Sequence, residues 1–241
     1  MLAIKNLSLK RANKLLFSSL EMQAEARQIV VVLGPNGAGK STLLLALFAM
    51  LEPASGEVLL ENKDVQDYSR HDLSRLITWQ GDLPPTEFGL TVEQRLLLAN
   101  DGNDIKEALL YMDLEQLQHR VLGELSSGER QRVEIAATMV RDNPIWLMDE
   151  PTAHLDMRHQ VDCLQLMKQE AKEGRLIFTV LHDLQQAAAV ADVVVLLDGK
   201  GGVEVAEAEV MLTAARLEPV FGVTLKGHGR ELMPVYNGEI E

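Results

Sequence analysis

The chain has 241 residues, 46% hydrophobic and 24% charged, which is enough for one well-packed core. Its formal net charge of −13 argues against nucleic acid as a partner, because duplex binders carry basic surfaces. The single Cys163 excludes an internal disulfide and suits a reducing cytoplasm. No signal peptide is recognisable, and the longest apolar runs, such as Ile29–Leu33, are far shorter than the roughly 20 residues of a membrane-spanning helix. Any membrane pore must therefore come from another chain.

The first third of the chain predicts strands, a glycine loop and a helix. Alternating apolar residues at its start predict strands, and the nearly continuous apolar run 28–33 predicts a strand buried on both faces. Residues 34–39 break that strand, and residues 41–50 are rich in helix formers. Short strands are predicted at 56–61 and 76–80.

The middle of the chain predicts helices alone. Residues 91–100, 105–117 and 126–141 have helical patterns, and Pro144 ends the block. We therefore expect residues 83–143 to form a helical subdomain inserted into the fold.

The last part returns to alternating strands and helices. The predicted elements are a strand at 145–148, a helix at 159–172, a strand at 175–181, a helix at 184–191 and a strand at 193–197. Such alternation predicts an α/β fold with a mainly parallel sheet flanked by helices, and the N-terminal strands are expected to be antiparallel. The single domain would have its core in residues 1–82 and 144–241.

A phosphate loop lies between the buried strand and the first helix. Its residues are Gly34, Pro35, Asn36, Gly37, Ala38, Gly39, Lys40, Ser41 and Thr42. A triphosphate is a dense polyanion, so backbone N–H groups must converge on it, and side chains at the glycine positions would block their approach. The following helix points the positive end of its dipole at the phosphates. The pattern predicts ATP binding, with Lys40 at the β- and γ-phosphates and Ser41 on Mg²⁺.

A second part of the site is predicted where the apolar strand at 145–148 ends in two acids. Asp149 is expected to hold the Mg²⁺ shell. Glu150 stands next to it, where it could polarise the attacking water as a general base. Many strands end in acids, so this prediction depends on the phosphate loop.

Together, these motifs resemble the ATP-binding subunits of ABC transporters. Further segments in the family's order carry the resemblance: Gln80, Leu125-Ser126-Ser127-Gly128-Glu129, Ala153-His154-Leu155-Asp156 and Leu181-His182-Asp183. They look like the family's Q-loop, signature, D-loop and switch histidine, and the resemblance covers roughly residues 2–215. A small-molecule kinase with a phosphate loop would not explain the signature or the His182 segment.

The resemblance implies roles for these residues. Gln80 would be catalytic and would ligate Mg²⁺, and His182 would sense the γ-phosphate. Ser126, Ser127, Gly128, Glu129 and Asp156 would contact the nucleotide held by another subunit. Ser127 and Glu129 depart from the family's Leu-Ser-Gly-Gly-Gln, and Ser127 could restrict the approach of the backbone. Arg11 stands near the family's adenine-stacking aromatic residue, where it either stacks through its guanidinium plane or is a plain surface arginine.

The resemblance also implies partners. Family members form dimers with two ATP molecules sandwiched between them, so we expect a homodimer in the ATP-bound state and a monomer or weak dimer without ATP. Integral-membrane permease subunits would be the other partners. The chain would then be cytoplasmic and peripheral on the inner face of the plasma membrane.

The transport system is suggested by short segments. Phe88-Gly89-Leu90-Thr91-Val92 and the tail around Phe221 and Met233 resemble the importers of iron–siderophores, haem and cobalamin. Glu129, the compact chain and the N-terminal segment are most similar to the cobalamin-importer ATPases. A soluble ABC ATPase without a transporter, of the iron–sulfur assembly type, and an exporter subunit share the same motifs and remain open.

Overall fold

A computed structural model of the chain describes residues 1–12, 14–81, 83, 89–99, 104–227 and 231–235. Its strands, in chain order, are β1 (Leu2–Arg11), β2 (Lys14–Ala24), β3 (Ile29–Leu33), β4 (Ser55–Leu60), β5 (Lys63–Asp64), β6 (Ile77–Gln80), β7 (Ile145–Asp149), β8 (Leu176–Val180), β9 (Val193–Leu197), β10 (Val203–Glu207), β11 (Leu225–Lys226) and β12 (Met233–Pro234). Its α-helices are α1 (Lys40–Leu47), α2 (Arg70–Leu76), α3 (Val92–Ala99), α4 (Lys106–Tyr111), α5 (Ser127–Met139), α6 (Met157–Glu173), α7 (Leu184–Val190), α8 (Ala208–Met211) and α9 (Ala214–Phe221).

Two large sheets organise these elements. The six-stranded sheet has the order β10-β9-β3-β8-β7-β6, and all its neighbours are parallel except β10, which is antiparallel to β9. The four-stranded sheet has the order β2-β1-β4-β5 and is antiparallel. The prediction of a mainly parallel sheet flanked by helices, with antiparallel strands at the N-terminus, is confirmed.

Strand β3 is apolar throughout because each of its faces meets a different hydrophobic core. Val30 and Val32 pack in the cluster that also holds β1, β2 and α1. Val31 and Leu33 pack on the opposite side, with helices α3 to α7. Successive side chains of a strand point to opposite faces, so a strand covered on both sides reads as an unbroken apolar run.

The middle of the chain is helical, as expected. Between residues 89 and 143, the described residues form α3, α4, α5, two 3₁₀ turns and one isolated bridge from Thr91 to Val121. These helices share one continuous apolar cluster with the parallel sheet. The subdomain bounds at 83 and 143 stay a prediction. The Pro84-Pro85 break and Phe88 lie outside the described residues.

Two segments differ from the sequence prediction. Residues 105–117 do not form one helix: α4 ends at Tyr111 because Asp113 takes a left-handed conformation (φ 51°), and a 3₁₀ turn follows at Glu115–Leu117. Helix α2 is not predicted, since Leu73 is its one fully buried residue and it therefore has no apolar period. Its N-cap is Ser69, whose hydroxyl accepts from the Asp72 backbone N–H.

Among the helices of the described ranges, none combines the length and the apolar character needed to cross a membrane.

A salt bridge links α3 to α5. Arg95 Nε donates to Glu134 Oε1 at 3.0 Å, and the carboxylate of Glu134 is almost fully buried. Replacing Arg95 by Met would leave that buried charge without its cation. We expect Arg95→Met to lower the free energy of unfolding by about 2–3 kcal/mol in urea denaturation, discounted because Arg95 is partly exposed.

The control is Lys5→Met, which breaks the exposed Lys5–Glu57 pair and should cost about 0.5 kcal/mol or less. Equal losses in the two variants would contradict the assignment of a structural role to the α3–α5 bridge.

Candidate functional site

The predicted site residues follow the carboxyl ends of four neighbouring parallel strands. Strand β3 leads into Gly34, β8 leads to His182, β7 ends at Asp149 and β6 ends at Gln80. These strands are adjacent in the order β3-β8-β7-β6, and Asp149 is paired directly with Val180. Carboxyl ends of parallel strands form one edge of a sheet, where open α/β sheets hold their ligands. The fold therefore gathers residues that are far apart in the sequence.

The phosphate loop needs glycine for two separate reasons. Gly34 has φ +148°, and a Cβ added there would lie 2.4 Å from the carbonyl oxygen of Leu197. Gly39 has φ +107°, and its added Cβ would lie 3.1 Å from Leu16 Cβ. Gly37 has φ +78° and an open surrounding, so only its conformation favours glycine there. The loop is thus fixed against β9 and β2 before any ligand binds.

Lys40 is enclosed by this loop. Its side chain is buried, and Nζ donates to the carbonyl oxygens of Gly34 at 2.9 Å and Pro35 at 3.1 Å. Burial lowers the pKa of Lys40, while the negative charges of Glu150 and Asp149 act in the opposite direction. The ammonium is therefore poorly solvated, and a neighbouring anion would stabilise its charge.

A small cavity lies beside Ser41. It has a volume of about 130 Å³, and its lining includes Ser41, Gly81, Gln131, Asp149, Glu150 and His154. Gln80 precedes Gly81 and donates to its carbonyl at 3.1 Å, while the buried Gln80 Oε1 accepts no hydrogen bond from the residues that the structure describes. Hydroxyl, carboxylate and amide oxygens are the hard ligands that Mg²⁺ prefers. The donor set of Ser41, Asp149 and Gln80 fits this ion.

Glu150 and His182 are in direct contact. His182 Nε2 lies 2.6 Å from Glu150 Oε1, and both side chains are about half exposed. Glu150 has φ +51°, a left-handed conformation that is costly for a non-glycine residue. The structure thus joins a candidate base to the candidate switch residue.

Gln131 supports this strained turn, and sequence reasoning gave it no role. Its buried Nε2 donates to the backbone carbonyls of Glu150 at 3.3 Å and Pro151 at 3.0 Å. The available signal was weak: Gln131, Glu134 and Thr138 are polar residues at helical spacing on the buried face of α5. Such residues indicate a buried polar contact without naming its partner.

The signature residues build the N-terminus of α5. Ser126 is the N-cap and accepts from the Glu129 backbone N–H, while its own N–H and hydroxyl donate to Glu129 Oε2 at 2.7 and 2.8 Å. This is a capping box, which Glu and Gln both support. The hydrogen bonds from Ser126 lower the pKa of Glu129. Ser127 is the first helical residue and is exposed.

Gly128 is confined by the D-loop. A Cβ added to Gly128 would lie 2.8 Å from the carbonyl oxygen of His154, which itself has φ +63°. Asp156 then caps α6: it accepts from the His159 backbone N–H at 3.0 Å, and its carboxylate contacts His159 Nδ1 at 2.9 Å. These hydrogen bonds lower the pKa of Asp156.

The structure does not bring every predicted residue into one place. The cavity beside Ser41 is lined by neither the 126–129 segment nor Asp156 among the described residues. Arg11 is exposed at the end of β1, paired across the turn with Lys14. Its predicted contact with adenine stays a prediction.

The capping box yields a pH-dependent prediction. The folded pKa of Glu129 lies below its ordinary value of 4.5. The ionised carboxylate therefore stabilises the fold above pH 4.5, and this stabilisation is lost as the pH falls through the folded pKa. Glu129→Gln keeps the acceptor and removes the titration. Between about pH 6 and pH 3, we expect the free energy of unfolding in urea to fall further for wild type than for Glu129→Gln. The extra loss should be less than about 1 kcal/mol, since the group is largely solvated.

Ser126→Ala serves as the comparison for the cap itself. It removes the hydroxyl at both pH values and should cost about 1 kcal/mol at pH 6. A wild-type protein and a Glu129→Gln variant with parallel pH profiles would contradict the role assigned to the carboxylate.

Comparison with known proteins finds a matching family model, similar sequences and similar structures. The family model described as ABC transporter matches residues 17–153. The hemin import ATP-binding protein of Pseudomonas entomophila is 33% identical over 240 residues, covering 92% of this chain and 93% of that protein. The petrobactin import ATP-binding protein of Bacillus anthracis is 33% identical over 213 residues, covering 83% and 78%. Among solved structures, a metal-chelate type ABC transporter in an inward-facing conformation matches with a TM-score of 0.80 and 25% identity, over 98% of both chains.

Proposed function

The chain belongs to the ABC transporter family and hydrolyses ATP, and we propose that it is the ATPase subunit of an importer for metal chelates. The observation that carries the site assignment is the contact between Glu150 Oε1 and His182 Nε2 at 2.6 Å, beside the loop that encloses Lys40. A carboxylate held by a histidine at the end of β7 is suited to act on a water near the terminal phosphate.

The phosphate loop would bind the triphosphate through its backbone N–H groups, from Gly34 to Thr42. Lys40 would exchange its two carbonyl acceptors for β- and γ-phosphate oxygens, which compensates the cost of burying its charge. Ser41, Asp149 and Gln80 would hold Mg²⁺, which offsets the negative charge that builds up on the phosphates. Gln80 is suited to this role because its buried Oε1 has no hydrogen-bond donor within the described part of the chain.

Glu150 would accept the proton of the attacking water. His182 orients the Glu150 carboxylate and lies at the end of the neighbouring strand, where a γ-phosphate would reach it. Gln131 holds the Glu150 carbonyl and so keeps the backbone in its left-handed conformation. Base catalysis depends on such positioning within hydrogen-bond reach.

The signature would serve a second copy of the chain. Ser126 and Ser127 open the 13-residue helix α5, and a helix N-terminus attracts anions. Since the 126–129 segment does not line the cavity beside Ser41, its anion would come from the nucleotide of another subunit. This arrangement supports a homodimer that closes around two ATP molecules, with Asp156 at the same interface.

Membrane permease subunits would be the other partners. The relatives are named as import ATP-binding proteins for hemin and petrobactin, and the similar solved structure is described as a metal-chelate type transporter. These names support import of a metal chelate, such as haem, an iron–siderophore or cobalamin, over export. Leu97 and Leu98 on α3 are 54% and 68% exposed, which suits a docking face for the permease. The chain would then act on the inner face of the plasma membrane.

Two substitutions separate binding from turnover. Glu150→Gln keeps the loop and should retain ATP while slowing hydrolysis by about 10²–10⁴-fold, because the general base is lost. Lys40→Ala should lose nucleotide binding, because the triphosphate loses its buried cation. The measurements are equilibrium ATP binding, phosphate release, and size-exclusion chromatography with and without ATP.

Glu150→Gln should elute as a dimer with ATP and as a monomer without it, and Lys40→Ala as a monomer in both cases. Normal phosphate release by Glu150→Gln would refute the assignment of Glu150 as the base.

The transport role is tested through the partner. Glu150→Gln protein trapped with ATP in the membranes of its source cell should co-purify a multi-spanning permease, and Lys40→Ala should recover less of it because it cannot close around ATP. A soluble scaffold recovered without any membrane protein above background would move the assignment to an ABC ATPase outside transport.

A further inference from the structure

A closed set of hydrogen bonds lies behind the Glu150–His182 pair. Thr152 Oγ1 donates to Gln186 Oε1 at 2.7 Å, and Gln186 Nε2 donates to Gln160 Oε1 at 3.1 Å. Gln160 Nε2 donates back to the carbonyl oxygens of Thr152 at 3.4 Å and Leu155 at 3.2 Å. We call Thr152, Gln160 and Gln186 the amide ring. The side chains of Gln160 and Gln186 each donate and accept, whereas Thr152 donates through its hydroxyl and accepts through its backbone carbonyl, so the ring closes through the Thr152 backbone.

The amide ring joins the three segments that carry the predicted catalytic and interface residues. Thr152 follows Glu150 in the turn after β7, and Gln160 follows Asp156 in the first turns of α6. Gln186 lies on α7, whose N-cap Asp183 directly follows His182 and accepts from the Gln186 backbone N–H at 3.1 Å.

The amide ring and the candidate reacting groups line the same cavity, which has a volume of about 230 Å³. Glu150 and His182 line it together with Thr152, Gln160 and Gln186. Beyond the pairing of β7 with β8, the two catalytic candidates meet through a half-exposed side-chain contact. The amide ring is a second and less exposed connection between the loop of Glu150 and the loop of His182.

We propose that Gln160 and Gln186 are positioning residues for ATP hydrolysis. They fix the separation of Glu150 and His182 and tie both to the Asp156 segment, so that closure of a second copy on that segment is transmitted to the base. This inference rests on the proposed function. Its physical basis is that removing one amide leaves its partly buried partners without hydrogen bonds, so the ring loosens as a unit.

The expected consequence is a change in kcat without a change in KM. Among the described residues, the hydrogen bonds of the ring involve neither Lys40 nor the glycines of the phosphate loop, so ground-state ATP binding should be kept. Misplacement of a base by a fraction of an ångström lowers the rate of the chemical step. A purely structural role would lower the melting temperature and leave the kcat of the folded protein unchanged.

The experiment compares Gln186→Met, Gln160→Met and the double variant with Gln185→Met. Gln185 is exposed on the same turn of α7 and lies outside the ring, which makes it the matched control. Each ring variant should lower kcat about tenfold and keep KM for ATP within about twofold. The double variant should be no slower than about the slower single variant, because the ring is already open. Gln185→Met should keep kcat within about twofold of wild type.

Thr152→Val removes only the hydrogen bond from the hydroxyl to Gln186 and replaces the glutamine variants if one of them does not fold. It should show the same loss of kcat. Wild-type kcat in a folded ring variant, a raised KM at unchanged kcat, or losses that multiply in the double variant would each overturn the inference. Slow hydrolysis by Glu150→Gln together with a wild-type kcat for Gln186→Met would overturn this inference alone. Normal hydrolysis by Glu150→Gln would instead overturn the proposed site.

Discussion

The parallel pairing of β3 with β8, and of β8 with β7, is the contact on which the whole site depends. It sets Asp149 of β7 opposite Val180 of β8, and it places the start of the phosphate loop at the end of β3, on the other side of β8. A slip of one residue would turn every side chain of a strand to the other face of the sheet. A separate apolar cluster covers each face of the sheet, so a slip would move side chains that pack in one cluster into the other. Core packing therefore fixes the register, and the register fixes the chemistry.

This rigid sheet carries strained and poorly solvated groups at its edge. Lys40 is buried, Gly34 leaves no room for a side chain, and Glu150 has a left-handed backbone. The burial of the Lys40 charge and the left-handed backbone of Glu150 each cost free energy, and each is met by a specific contact: loop carbonyls for Lys40 and the Gln131 amide for the Glu150 turn. Strain at functional sites persists only where the surroundings over-determine it. A triphosphate would offer Lys40 anionic oxygens in place of these carbonyls and would so offset the cost of burying its charge.

Local patterns explain what could be predicted from the sequence, and distant contacts explain what could not. The apolar run of β3 and the glycines of the phosphate loop carry their reasons within a few residues. Helix α2 has too little buried surface to leave a period, and the break at Asp113 depends on one backbone angle. The partners of Gln131 and Gln186 are 19 to 34 residues away in the chain, so no spacing rule indicates them. The motifs predicted the candidate reacting groups, whereas the residues that position these groups could be identified only from the fold.

The same distinction accounts for the two departures in the signature. The family's Leu-Ser-Gly-Gly-Gln is Leu-Ser-Ser-Gly-Glu here, so Gly128 is kept while its neighbours change. Gly128 is the position whose Cβ would strike the carbonyl of His154, whereas Ser127 is exposed at the first turn of α5. Glu129 closes the capping box as a glutamine would, through oxygen acceptors for Ser126. Its added charge strengthens these hydrogen bonds, as its lowered pKa indicates, and would also act on the anion proposed to bind there. The two departures thus fall at an exposed position and at a position where glutamate and glutamine offer the same acceptor oxygens, whereas the retained glycine is the one that the chain's own backbone confines.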